Sequence, residues 1–188
     1  MKKAFMDIVQ ERVAEVAIGA STLRNMGASG VVEAAREFLK QLDLEKFVVK
    51  HKAVFRKRLD EETQALQKRF PSEAKHWGAA RKAINIFLRD ALYNRYLCQH
   101  FKLQQINRFL EIPLDGYTAK GLKDKVEEHT KKHSLRWPGL KGLNKSLNNR
   151  YQDIAEAIAK EHRTSRVHYD MILWLEGRQK RRMKKKKR

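Results

Sequence analysis

Residues 79 to 97 read AARKAINIFLRDALYNRYL, a stretch whose apolar side chains cover most of the circumference that a helix would give it. Such a pattern predicts a helix buried at the centre of a domain, with other helices packed around it. Lys82, Asn85 and Arg89 fall at i, i+3 and i+7 within it, and so share one face amid apolar neighbours. Polar groups on a buried helix need partners or a task; the ordinary alternative is a solvated face carrying ordinary charges.

Working outward, apolar residues recur at three- and four-residue spacing, with only three prolines and nine glycines to interrupt them. An all-α fold follows, read as one helical domain over residues 1–177. The first helix is expected at about 4 to 18, burying Phe5, Ile8, Val9, Val13, Val16 and Ala17. Small and capping residues from Ala20 to Gly30 form a loop that either meets a phosphate through its amides or simply joins helices. Helical spacing resumes from Val31 to Leu39, and again over 43 to 69 with one break. Beyond the central helix come a short helix at 104 to 110 and an extended turn at Glu111-Ile112-Pro113, since the residue before proline avoids the helical region. A helix from about Leu114 to His129, a basic loop around Trp137-Pro138-Gly139, and helices at 145 to 161 and 165 to 177 complete the domain. Residues 178 to 188, RQKRRMKKKKR, hold nine Lys or Arg and no acid, and read as a disordered polybasic tail.

The formal net charge is +20, and +11 remains when that tail is set aside. A folded chain tolerates such self-repulsion chiefly when its partner is a polyanion, which makes nucleic acid the leading partner class. The tail has no apolar anchor or lipidation motif beside it, so a membrane is not the expected partner. Lone Cys98 excludes an intrachain disulfide and a cysteine-rich zinc site and reads as a buried thiol. His76, His129, His133, His162 and His168 do not recur at zinc-ligand spacing, so neither metal nor other cofactor is expected. No signal peptide or membrane-length apolar run is seen, and a monomer in the cytoplasm, associated with the nucleoid, is the expected state.

Three segments carry a family resemblance. Trp77-Gly78-Ala79-Ala80-Arg81-Lys82-Ala83-Ile84-Asn85-Ile86-Phe87-Leu88 resembles the second half of the helix-hairpin-helix in endonuclease III-like DNA glycosylases, with Gly78-Ala79-Ala80 in place of that family's fuller glycine turn. Thirty-three residues after Lys82, Ile112-Pro113-Leu114-Asp115-Gly116-Tyr117 looks like the family's apolar-Pro-apolar-Asp segment, with an insert similar in length to that of archaeal 8-oxoguanine glycosylases. A third stretch, Arg166 to Arg178, is similar to the closing helix of related families. The resemblance covers about residues 76 to 178. It implies a helix-hairpin-helix glycosylase fold with a cleft between two helical lobes, and removal of a damaged or modified base from DNA, with an associated lyase step on the abasic site.

On that resemblance Lys82 is the nucleophile and Asp115 the carboxylate that activates the attack and stabilises the cationic sugar. An apolar setting and a neighbouring cation such as Arg81 favour the neutral form of an amine. Asp115 has an equally ordinary reading as the N-cap of the next helix, and the two roles are compatible. A flipped base needs aromatic walls and an edge reader, for which Trp77, Tyr117, Trp174, Gln152 and Asp170 are the candidates. Aromatics at helical spacing are as readily core, and Gln152 as readily lies on a solvated face. Contacts to DNA are expected from Gly78, Arg81, Asn85, Arg89 and Lys120, and from the loop residues Lys131, Lys132, Arg136, Trp137, Lys141 and Lys145, whose charges suit phosphates along one strand. Oxidised purine is the first expectation for the excised base, with a hypermodified viral pyrimidine, and hence antiviral defence, as an open alternative. The competing reading is a DNA- or RNA-binding protein of similar fold without catalysis.

Overall fold

The computed structural model describes residues 2–23, 25–26, 29–130 and 136–186. Among these the secondary structure is helical, without a strand. Contacts cluster into two compact units, Met1–Leu110 and Glu111–Arg188.

The first unit holds α1 (Lys2–Ala17), α2 (Val31–Lys40), α3 (Lys52–Arg69), α4 (Trp77–Tyr93) and α5 (Arg95–Phe101). Short 3-10 turns lie at Glu45–Phe47, Ser72–Ala74 and Leu103–Phe109. α4 is the hub, packed by α1, α2, α3, α5 and the last of those turns. Its residues from Gly78 to Leu88 are all buried, as the apolar pattern predicts. The helix ends earlier than expected because Asn94 turns extended and its side-chain oxygen accepts from the Tyr96 and Leu97 amides, each at 3.1 Å. That cap starts α5 as a separate helix. The break foreseen within 43 to 69 falls at residues 48 to 51, between the first 3-10 turn and α3.

α1 buries Val13 and Ala17 as expected, but not Phe5, Ile8 and Val16. Gln10, Val13, Ala14 and Ala17 point inward, while Phe5, Ile8 and Val16 are exposed. Gln10 accounts for the difference: its Nε2 donates to the carbonyl oxygens of Leu39 (2.9 Å), Lys40 (3.1 Å) and Leu42 (2.8 Å), at and just past the C-terminus of α2. Both faces of α1 have apolar spacing, and the amide decides between them. The turn into α2 depends on Gly30, whose φ of 84° suits glycine.

The second unit holds α6 (Gly116–Thr130), the single turn α7 (Gly139–Gly142), α8 (Lys145–Glu161) and α9 (Arg166–Lys186). α6, α8 and α9 pack pairwise on one another. α6 approaches α9 closely at Gly121, where an added Cβ would sit 2.9 Å from Cδ2 of buried Leu173. α9 continues through the basic run to Lys186 rather than stopping at 177, because lysine and arginine are good helix formers and nothing in 178–186 breaks a helix already nucleated by its packed first half. No helix among the described residues is long and apolar enough to cross a membrane.

Candidate functional site

Lys82 sits on the second turn of α4 with 8% of its surface exposed. Its Nζ donates to the carbonyl oxygen of Thr22 at 2.9 Å. That carbonyl is aimed by a tight turn: the Thr22 amide donates to Gly19 O (2.9 Å), the Thr22 hydroxyl donates to Ala17 O (3.2 Å), and it accepts from the Gly19 amide (3.2 Å). Thr22 of the loop after α1, read as a connector or a phosphate site, thus supplies the oxygen that meets the Lys82 amine. The carbonyl oxygen accepts from the amine and so helps fix the position of the nitrogen.

The other polar residues of α4 are used structurally. Arg81 is 2% exposed; its guanidinium donates to Asp60 Oδ1 (2.6 Å) and to the Thr63 hydroxyl (2.9 Å), and its Cζ lies 4.9 Å from the centre of the Trp77 ring. Asn85 and Gly78 are buried. Arg89 is half-buried and pairs with neighbouring Asp90 at 2.9 Å. Arg81, Asn85 and Gly78 therefore do not present phosphate contacts. On a helix packed on most sides, a buried polar side chain such as Arg81 reaches polar groups of the same unit. Trp77 is half-buried under Arg81 and is a packing residue, not an open wall.

In the second unit, Asp115 stands directly before α6. Its Oδ1 accepts from the Tyr117 and Thr118 amides, each at 2.9 Å, and its carbonyl accepts from the Ala119 amide at 2.8 Å. It is the N-cap of α6, as the plainer reading held, and it is half-buried. The extended segment leading to it is pinned by Gln152 of α8. The Ile112 amide donates to Gln152 Oε1 (3.0 Å) and Gln152 Nε2 donates to Ile112 O (2.8 Å), so one side chain does for Ile112 what a neighbouring strand would. Gln152 is fully buried and satisfied, and does not read a base edge. Beside it, buried Asn148 donates to buried Glu111 at 3.1 Å.

Asp170 of α9 accepts from the Thr118 hydroxyl at 3.3 Å, tying α9 to the first turn of α6. Tyr117 lies against Gly177, where any Cβ would overlap the phenol. Trp174 is 54% exposed with the Arg178 guanidinium 5.2 Å over its ring, a surface position and not the wall of an enclosed pocket. Trp137 packs edge-on against buried Tyr151, ring centres 5.7 Å apart, and its indole lies beside Gly116. Lys120, Arg136, Lys141 and Lys145 are exposed; Lys131 and Lys132 lie outside the described residues.

Lys82 belongs to the first unit and Asp115 to the second. The residues that sequence reasoning missed are Thr22, Gln10, Glu111 and Asn148. Thr22 acts through its backbone, for which no side-chain pattern exists; Gln10 and Asn148 are polar residues inside apolar periodicity, the same signal that singles out Lys82. Cys98 is a buried free thiol. No group of three or more His, Cys, Asp or Glu able to hold a metal occurs among the described residues. Comparison with protein-family models, curated proteins and solved structures finds no match to this chain.

Proposed function

We propose that this chain binds DNA and excises a base from it, with Lys82 supplying the nucleophile. The observation that carries this reading is the seating of Lys82: a lysine with 8% of its surface exposed, on the most buried helix of its unit, its amine held by a carbonyl oxygen on a tight turn. Burying a lysine amine is costly, and groups held at that cost are common where chemistry is done. The sequence resemblance of residues 76 to 178 to helix-hairpin-helix glycosylases supplies the reaction class.

In that reaction Lys82 Nζ bonds to C1′ of an extruded deoxynucleotide as the glycosidic bond breaks. The base leaves with the bonding electron pair and takes up a proton. Opening of the sugar then gives a Schiff base between Nζ and C1′, from which strand cleavage can follow. The resemblance gives Asp115 the part of a carboxylate that stabilises the cationic sugar. Its capping bonds to the Tyr117 and Thr118 amides are made through Oδ1. The glycosylase fold, the cleft between two lobes, DNA as the partner and a nucleoid location all belong to this same proposal. Net charge supports the partner in both units: the first carries 21 Lys and Arg against 12 Asp and Glu, a net +9, and the second 21 against 10, a net +11.

Borohydride trapping tests the reading. The full chain is incubated with duplex DNA carrying oxidised, alkylated, deaminated or hypermodified bases, and reduced with borohydride. A covalent protein–DNA adduct that is absent from Lys82→Gln is the expected result. No adduct and no released base across the panel overturns it. Base release that persists in Lys82→Gln without an adduct assigns the attack to water.

A second reading, a DNA- or RNA-binding protein without catalysis, is favoured by the engagement of Gln152 within its own unit and by the capping role of Asp115. Under it, nucleic acid is bound with a steep salt dependence and no base is released.

A further inference from the structure

The surface of α9 carries a feature outside the enclosed pocket that a flipped base is expected to need. Met171, Trp174 and Leu175 are more than half exposed on consecutive turns, at 58%, 54% and 51%. Tyr117, 38% exposed, reaches the same part of the helix by lying against Gly177, one residue before Arg178. Apolar side chains grouped on one exposed helix face are the kind of patch that marks an interaction surface. Charge identifies the occupant. The Arg178 guanidinium lies 5.2 Å over the Trp174 ring. From there to the end of α9, residues 178–186 add seven Lys or Arg in all and no acid. The nearest carboxylate on the helix, Glu176, is paired with Lys125 at 3.5 Å.

An aromatic face with a cation on it, continued by a helix of basic residues, matches what unpaired nucleotides offer: a flat base to stack and a chain of phosphates to follow. We propose that Trp174, flanked by Tyr117 and Arg178, is a stacking platform for unpaired nucleobases, and that the basic end of α9 follows the same strand's phosphates. The platform rests on the reading of the chain as a nucleic-acid binder, and it takes no part in the nucleophilic attack proposed for Lys82. The α1 face of Phe5, Ile8 and Val16 is also apolar and exposed, but no run of charge beside it names an occupant.

The test compares the full chain with Trp174→Ala and Trp174→Phe by fluorescence anisotropy, using a labelled oligothymidylate, a duplex of equal length, and heparin as a polyanion without bases. Trp174→Ala is expected to weaken oligothymidylate binding about tenfold, leave heparin binding within about twofold of wild type, and be largely rescued by Trp174→Phe, which keeps a face to stack on. Unchanged oligothymidylate binding in Trp174→Ala overturns the platform while leaving nucleic-acid binding in place. Equal weakening towards heparin and oligothymidylate also overturns it, since the loss is then one of charge or folding. A dimer that Trp174→Ala converts to monomer, with oligothymidylate affinity unchanged, gives the face to a second copy instead. Failure of the wild type to bind any of the three polyanions overturns the platform together with the function it rests on.

Discussion

The Lys82 amine and the Thr22 carbonyl oxygen stand 2.9 Å apart, joined by a hydrogen bond that spans sixty residues of chain. The carbonyl's direction is set by the bonds that the Thr22 hydroxyl makes to Ala17 and Gly19. Thr22→Val keeps the side chain's volume and removes those bonds. It should cost about 1 kcal/mol of stability, the ordinary net worth of a lost hydrogen bond. If Lys82 attacks the sugar, base release should fall by about tenfold or more, because small misplacements of a reacting atom are expensive. Denaturant titration and single-turnover base release measure the two effects, and wild-type release from a destabilised Thr22→Val would show that the turn does not position the nucleophile.

Gln152 separates a structural role from a base-reading one. Replacing it by Leu leaves the buried Ile112 amide and carbonyl without their partner, at roughly 1–3 kcal/mol for each group left unsatisfied. Gln152→Leu is therefore expected to lower the urea midpoint strongly and to loosen the segment leading into Asp115. A base reader would behave in the opposite way, losing selectivity among bases with its stability intact.

Much of the architecture is legible in the sequence, because helical periodicity and capping chemistry are local. The buried character of α4, the extended Ile112-Pro113 segment and the choice of Asp115 as a cap all follow from neighbours a few residues away. What is not legible depends on distant partners. α1 offers two apolar faces, and the three carbonyls that Gln10 reaches, near the end of α2, choose between them. Arg81 looks like a phosphate ligand until Asp60 and Thr63 arrive from α3 to bury it. Asn94 splits a run of continuous helical spacing with one side-chain oxygen. The division of the chain at Leu110 leaves no mark in composition.

Arg81 and Asp60 yield a prediction that opposes the expected DNA contact. Asp60→Ala removes the carboxylate 2.6 Å from a guanidinium whose side chain is 2% exposed. Breaking a buried pair from one side costs about 3 kcal/mol or more. Urea denaturation should show that loss, whereas the salt dependence of DNA affinity should be unaltered in Arg81→Gln. A shallower salt slope in that variant would return Arg81 to the phosphate-binding set.

Gly121 has its value in packing. Alanine there gains about 1 kcal/mol in intrinsic helix preference. Its Cβ would also stand 2.9 Å from Cδ2 of Leu173, which is 4% exposed and has little room to retreat. Overpacking of this kind costs roughly 1–3 kcal/mol, so the net effect is destabilising. Gly121→Ala should lower the thermal midpoint, and the double variant Gly121→Ala with Leu173→Val, which trims the opposing side chain, should recover part of it. An increase in the midpoint for the single variant would mean that α6 and α9 separate at no cost.

His168 gives the second unit a pH dependence of known sign. Burial holds its imidazole below the ordinary histidine value near 6.5, because the charged form loses hydration that the neutral form does not need. Between the folded and unfolded values the unfolded chain binds more protons than the folded one, so stability rises with pH across that window. The stabilising contribution is complete above about pH 6.5 and is lost as pH falls through the folded value. Thermal midpoints measured from pH 8 to pH 5 should therefore decline on the acidic side, and His168→Gln should decline less over the same range. Equal slopes for the two proteins would place the acid sensitivity in other groups.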